Sequence, residues 1–185
     1  MTNNIIAHNC VGGRICQQKG MQYGNPFMWS IIPPDDFYYL YTHYNDLNYK
    51  NIKLEKVKTD YKLTIDDKVR VIYVHYKYDK NANTPTKKTK VDVFYNKIED
   101  YIIEKYGTRL SRMKENPLFI VTDRVFPTKP ECNFKKEDLM KYIGRGDCIV
   151  VTCDRGIKGD NVIYVANKNL DPEEIAKIII KELGL

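Results

Sequence analysis

Residues 118–124 read Leu-Phe-Ile-Val-Thr-Asp-Arg and predict a buried strand with a polar end. Four apolar residues in succession are typical of a strand that is buried on both faces, and polar residues follow at once. The same order returns at residues 148–155, which read Cys-Ile-Val-Val-Thr-Cys-Asp-Arg. Two buried strands that end in a similar Thr, Asp and Arg cluster predict that their polar ends converge on one edge of a parallel sheet.

Segments before and after these two strands extend the pattern. Apolar runs predict further strands at residues 4–8, 69–76 and 162–165, with one or two edge strands in 51–64. Helical spacing and end signals predict helices at about residues 14–19, 91–114, 134–143 and 171–183. Strands that alternate with helices predict an α/β fold with a mostly parallel central sheet and helices on both faces. We expect one domain spanning residues 1–185.

Composition narrows the class of protein. The chain has 30 basic and 24 acidic residues, a formal net charge of +6, and this mildly basic balance favours anionic partners. Its densest basic run, at residues 87–90, is typical of a solvated loop, so we do not expect a nucleic-acid partner. No apolar run reaches the roughly 18 residues of a membrane span. The N-terminus lacks the pattern of a signal peptide, so we expect a cytoplasmic protein.

The five cysteines are an odd number and include no CxxC pair. Scattered cysteines in a chain of this kind predict free thiols and give no support to a structural zinc site. The sequence names no cofactor.

Reactive residues follow the predicted strands. Ligands of open parallel sheets bind beyond the carboxyl ends of the strands, so we expect one polar rim there. The residues predicted to form it include His8, Asn9, Cys10, His75, Asp123, Arg124, Asp154 and Arg155.

Cys10 is the candidate nucleophile of this rim. It lies between a strand and a helix, and the exposed amides and positive dipole end of a helix N-terminus lower the pKa of a nearby thiol. His75 would act as the base and Asp123 would orient it. The alternative is a buried structural cysteine, because free cysteine is among the most buried residue types.

The same turn suits an anion. Gly12, Gly13 and Arg14 at a helix start would hold a phosphate or carboxylate, although a tight turn that needs glycine explains the pair equally well.

Further rim residues have two interpretations each. Arg124 and Arg155 would clamp a phosphate or form surface ion pairs. Asp123 and Asp154 would bind substrate hydroxyls or cap the following turns. Trp29 would form an apolar wall near the first turn or pack in the core. With His8 and Asn9, these residues complete the predicted binding set.

The N-terminal half resembles a known family. The run from Asn9 to Gln17, then Gly20, Pro26-Phe27 and residues 36–40, resembles the start of domain of unknown function family 1919, whose members are often labelled "exopolysaccharide biosynthesis protein". Residues 74–76 and 116–120 are similar to its later landmarks. The label implies a role in surface-glycan metabolism.

A second resemblance is to a group proposed to be papain-like cysteine peptidases. The Asn9-Cys10 pair and the stretch from Pro26 to Trp29 carry it, and it implies a nucleophile at Cys10 and a base at His75. Met28 stands where that group tends to have aspartate.

Three functions remain open. The first is an enzyme of surface-polysaccharide metabolism that uses a Cys–His pair for acyl transfer or hydrolysis. The second is a transferase that binds a sugar, sugar phosphate or nucleotide without covalent cysteine catalysis. The third is a non-catalytic interaction module. We expect an anionic or carbohydrate small-molecule ligand, and an edge strand in 51–64 would allow a homodimer.

Overall fold

The computed structural model describes residues 4–57, 60–73, 98–167 and 169–185. The predicted end of the strand at 74–76, with His75, lies outside these ranges. So do the basic run at 87–90 and the first part of the predicted helix, residues 91–97.

The elements alternate between strands and helices over most of the described chain. In order they are β1 (Ile5–Ala7), α1 (Val11–Gln18), β2 (Ser30–Ile31), α2 (Pro34–Thr42), β3 (Ile52–Val57), β4 (Asp60–Ile65), β5 (Val69–Tyr73), α3 (Ile98–Leu110), β6 (Leu118–Thr122), a 3-10 helix (Pro130–Cys132), α4 (Lys136–Met140), β7 (Cys148–Thr152), β8 (Val162–Tyr164) and α5 (Pro172–Leu183).

A four-stranded parallel sheet has the order β1-β6-β7-β8. Successive side chains of a strand point to opposite faces. Ile5 and Ile120 accordingly belong to an apolar cluster that also contains residues of α1 and α5. Ile6 and Phe119 belong to the larger core on the other face, which contains residues of α2 and α3. The prediction of a parallel sheet with apolar strands is confirmed for these four strands.

A second sheet corrects the prediction of one mostly parallel sheet. It is antiparallel, has the order β2-β5-β4-β3, and contains the strand that was expected to join the parallel sheet. The cause is the turn after β4. Asp66 and Asp67 have φ values of 52° and 54°, and Ile65 pairs directly with Val69. A connection this short forms a hairpin and leaves no room for the crossover that parallel strands require.

The final helix begins as the sequence predicts. Asp171 accepts a hydrogen bond from the Glu173 amide at 2.8 Å, and the Glu174 side chain accepts one from the Asp171 amide at 3.2 Å. Pro172 occupies the first turn, where its missing N–H costs nothing. This capping box fixes where α5 meets the ends of the parallel strands.

Within the described ranges, none of the helices has both the length and the apolar character that crossing a membrane requires.

Candidate functional site

The carboxyl ends of β1, β6 and β7 lie side by side, because these strands are parallel neighbours in one sheet. The polar residues that follow them therefore share one edge, which we call the rim: residues 8–14, 122–124 and 152–155. The strand before His75 does not reach this edge as predicted, because β5 belongs to the antiparallel sheet. His75 itself lies outside the described residues.

His8 lies beneath the rim. It is fully buried, and its Nε2 accepts a hydrogen bond from the Thr122 amide at 3.1 Å. The Asn9 side-chain amide lies 3.0 Å from the same nitrogen. An accepting Nε2 places the proton of the neutral ring on Nδ1, which finds no hydrogen-bond partner among the described residues. The predicted substrate contact of His8 is thus corrected, since this side chain has no exposed surface.

Burial decides the charge of His8. It lowers the pKa of the imidazole to about 3, and the positive charge of Arg124 lowers it further. The ring packs 4.2 Å, centroid to centroid, from Phe134. His8 is therefore a neutral core histidine at physiological pH.

Asn9 links the end of β1 to the start of α1. Its Oδ1 accepts the Val11 amide at 2.9 Å, and its Nδ2 donates to Thr122 Oγ1 at 2.9 Å. It is 1% exposed, so its predicted ligand contact is replaced by a positioning role. The amides of Gly12 and Gly13 come next, and they donate no hydrogen bond to any described residue.

The Cys10 thiol lies at the N-cap of α1 and is 9% exposed. Burial raises its pKa to about 11, while the nearby guanidiniums of Arg124 and Arg14 act in the opposite direction. The lower pKa expected from the helix N-terminus is therefore not found, because desolvation of the thiolate outweighs both cations and the amides.

The two glycines allow close packing. A Cβ on Gly12 would lie 3.3 Å from the Ala7 Cβ, and one on Gly13 would lie 2.9 Å from the Trp29 indole. The Arg14 guanidinium stacks over the same indole at 5.2 Å from its centroid. Trp29 is thus both a packing partner of α1 and a wall beside the rim.

The two acidic residues of the rim form hydrogen bonds with neighbouring groups of the chain. Asp123 Oδ2 accepts the Thr152 hydroxyl at 2.7 Å and the Cys153 amide at 2.9 Å. Asp154 accepts the Gly156 amide at 2.7 Å, and this bond, with the Lys136 ammonium at 3.1 Å, lowers its pKa. Both carboxylates cap turns at the end of β7.

The two arginines of these clusters differ. Arg155 stacks over Tyr164 at 4.6 Å. Arg124 stacks over Phe126 at 5.0 Å and donates from Nε to the Leu170 carbonyl at 3.3 Å, but it forms no ion pair with a described carboxylate. Arg124 is therefore the second guanidinium, with Arg14, that acts on the rim at Cys10.

Sequence reasoning missed Arg109 and Tyr23. Arg109, on α3, donates to the Met28 carbonyl at 3.2 Å and stacks over Tyr23 at 5.6 Å. Tyr23 meets Trp29 edge-on at 5.9 Å. No spacing signal connects α3 with residues 23–29, so only the fold reveals this contact.

Within the described ranges, no group of three or more His, Cys, Asp or Glu side chains could hold a metal ion. The rim offers arginines and amides instead, which are donors for anionic oxygens.

Comparison with known proteins supplies a family. Residues 1–98, more than half of the 185-residue chain, match the family described as Domain of unknown function (DUF1919). This confirms the first resemblance; the similarity to papain-like peptidases is not shown. No curated protein matches the chain.

Proposed function

Because this chain belongs to the DUF1919 family, whose description gives no activity, we propose its function from the geometry of the rim. The rim binds the anionic group of a small ligand at the start of α1, without a covalent bond to Cys10. The ligand is a sugar phosphate or nucleotide, or another sugar with a phosphate or carboxylate. A transferase of surface-polysaccharide metabolism would need such a site for its activated sugar.

One observation carries the proposal. Arg14 lies on α1 and Arg124 follows β6; the charges of both lower the pKa of the Cys10 thiol, and neither forms an ion pair with a described carboxylate. The Gly12 and Gly13 amides, in the first turn of α1, have no hydrogen-bond partner among the described residues. Guanidiniums and helix-opening amides are the groups that bind phosphate oxygens in proteins.

Calorimetric titration with glucose phosphate at low ionic strength tests the proposal. Arg14→Met and Arg124→Met should each weaken binding by about tenfold or more, since a hydrogen bond to a charged group contributes about 1.5–3 kcal/mol. Cys10→Ser should bind within about twofold of the parent chain, because the account assigns the thiol no bond to the ligand.

The matched control is Arg145→Met. Arg145 is exposed and precedes β7, at the opposite end of the parallel strands from the rim. Its loss removes the same net charge. An equal effect of Arg145→Met on affinity would therefore show that the binding is general electrostatic attraction. Absence of binding by the parent chain would refute the proposal directly.

A nucleophilic Cys10 is the second candidate. The observation that favours it is the position of the thiol at the start of α1 with two guanidiniums that lower its pKa. A pKa of about 11 opposes it, because the thiolate fraction at pH 7 is then about one in ten thousand.

Alkylation by iodoacetamide separates the two candidates. It is measured in a Cys153→Ser chain, because Cys153 is the more exposed thiol of the rim. If the ligand binds without a covalent bond, the rate of Cys10 alkylation should still rise steeply above pH 9. A plateau below pH 8 that His75→Ala abolishes would establish the nucleophile.

A further inference from the structure

Trp29 has an unusual backbone conformation. Its φ is 65°, in the left-handed region, which the chain otherwise gives, among described non-glycine residues, to Asp66, Asp67 and Asn116. Aspartate and asparagine tolerate this region, whereas a bulky aromatic residue is strained there. Strain of this kind persists only where surrounding contacts enforce it, and it concentrates at functional sites.

The strained residue orients two arginines. The indole lies against Gly13 and beneath the Arg14 guanidinium, at 5.2 Å. The carbonyl just before it, on Met28, accepts a hydrogen bond from Arg109 Nη1 at 3.2 Å. A rotation of this one peptide segment to an ordinary φ would disturb both contacts.

Two aromatic rings link the arginines by contact. Trp29 meets Tyr23 edge-on at 5.9 Å, and Arg109 stacks over Tyr23 at 5.6 Å. The contacts therefore run from Arg14 through Trp29 and Tyr23 to Arg109. All four side chains are half-buried, so each keeps an accessible part.

Arg109, like Arg14, forms no ion pair with a described carboxylate. Among the described residues its guanidinium contacts neutral groups, the Met28 carbonyl and the Tyr23 ring. A guanidinium that is oriented in advance but not neutralised binds an anion at little entropic cost. The same held for Arg14 and Arg124 at the start of α1.

We propose that the ligand of the rim carries two anionic groups. The first binds at Arg14 and Arg124, and the second binds at Arg109, beyond the Trp29 and Tyr23 rings. The ligand class is thus a bisphosphorylated sugar or a chain of linked phosphates, rather than a monophosphate. This inference rests on the proposed anion site, which it extends by one position.

Linear phosphates of increasing length test it, because orthophosphate occupies one position and a longer polyphosphate can reach both. Affinities of orthophosphate, tripolyphosphate and a longer linear polyphosphate are measured at one fixed ionic strength. Arg109→Met should leave orthophosphate binding within about twofold and weaken the longest probe by about tenfold. Arg14→Met should weaken every probe.

Two controls complete the design. Arg145→Met removes the same charge far from the rim and should have less than about a twofold effect on any probe. Arg109→Lys keeps the charge and should recover part of the loss for the longest probe. Thermal melting of each variant confirms that it is folded.

The possible failures are distinct. If orthophosphate does not bind, or binds equally to Arg14→Met and the parent chain, the proposed function itself fails. A different outcome is that orthophosphate binding depends on Arg14 while Arg109→Met and Arg145→Met weaken binding of the longest probe equally. That result would refute the second position alone.

Discussion

The arginines of the antiparallel sheet and of the rim differ in whether they pair with carboxylates. Around the sheet, cations have carboxylate partners: Arg70 Nε lies 2.6 Å from Asp36, and Lys129 Nζ lies 2.6 Å from Asp60. At the rim, Arg14 forms no ion pair with any described carboxylate. This difference is the basis of the proposed anion site at the rim.

The paired region also contains open space. A cavity of about 510 Å³ is lined by Arg70, Glu131 and Asp138 among others. Its arginine is already neutralised by Asp36, which accepts from the Arg70 backbone amide as well as from its side chain. An anion bound there would compete with Asp36 for Arg70, and the lining also includes the cation Lys135.

The largest expected effect is the pH dependence of stability caused by His8, the neutral buried histidine beneath the rim. Its folded-state pKa of about 3 lies below the unfolded value of 6.5, so between these pH values the folded chain binds fewer protons than the unfolded chain. The free energy of unfolding should therefore decrease by about 1.4 kcal/mol for each pH unit as pH falls through this window. Urea denaturation from pH 7 to pH 4 measures this slope.

The control for this prediction is His8→Gln, which lacks the titrating ring. Its stability should fall less steeply with pH than that of the parent chain, whatever its stability at pH 7. Parallel curves would show that His8 is not held neutral beside Arg124.

The substitution Asp36→Ala should show how much the ion pair with Arg70 contributes to stability. Asp36→Ala removes a carboxylate that is 8% exposed and accepts three hydrogen bonds from Arg70. We expect a loss of about 2 kcal/mol, less than for a fully buried pair because the Arg70 side chain is half exposed. Lys53→Gln, which breaks the exposed pair with Asp67, should cost less than about 0.5 kcal/mol. Similar losses at the two positions would contradict this ranking.

Gly13→Ala should disturb the rim through packing. The added Cβ would lie 2.9 Å from the Trp29 ring, so the helix or the indole must shift, at a cost of about 1–2 kcal/mol. Gly107 provides the opposite case, since a Cβ there meets nothing within 4 Å. Gly107→Ala in α3 should stabilise the chain by about 0.5–1 kcal/mol, and thermal melting of both variants reports the signs. A destabilised Gly107→Ala would show that helix propensity does not govern this site.

Arg14→Met should have the smallest effect on stability. It breaks no ion pair with a described residue, and methionine keeps a favourable contact with the indole, so we expect a change within about 0.5 kcal/mol. Urea denaturation at pH 7 checks it. A loss above about 1 kcal/mol would mean that the arginine serves the fold rather than a ligand.

Local sequence signals predicted the parallel strands and the start of α5 because the deciding residues are adjacent in sequence. Apolar runs marked β6 and β7, and Asp171-Pro172 marked the helix. Sheet membership of β5 was missed because it depends on the positive φ values at Asp66 and Asp67, for which glycine or asparagine is the usual sequence signal.

The candidate site was predictable in its position more than in its chemistry. Strand ends located Cys10, Arg14 and Arg124, but burial, which sets the pKa of the thiol and of His8, depends on the whole core. Arg109 could not be predicted, because its contact with Met28 joins residues 81 positions apart through a loop and not through a strand end.

Thermal melting in phosphate shows whether Arg14 and Arg124 together bind an anion. Orthophosphate is added at constant ionic strength to the parent chain and to the double variant Arg14→Met, Arg124→Met. A ligand at one hundred times its Kd stabilises the folded state by about 2.7 kcal/mol. We expect phosphate to raise the Tm of the parent chain and to leave that of the double variant unchanged. An equal rise in both chains would mean that the anion binds elsewhere and would refute the proposed site.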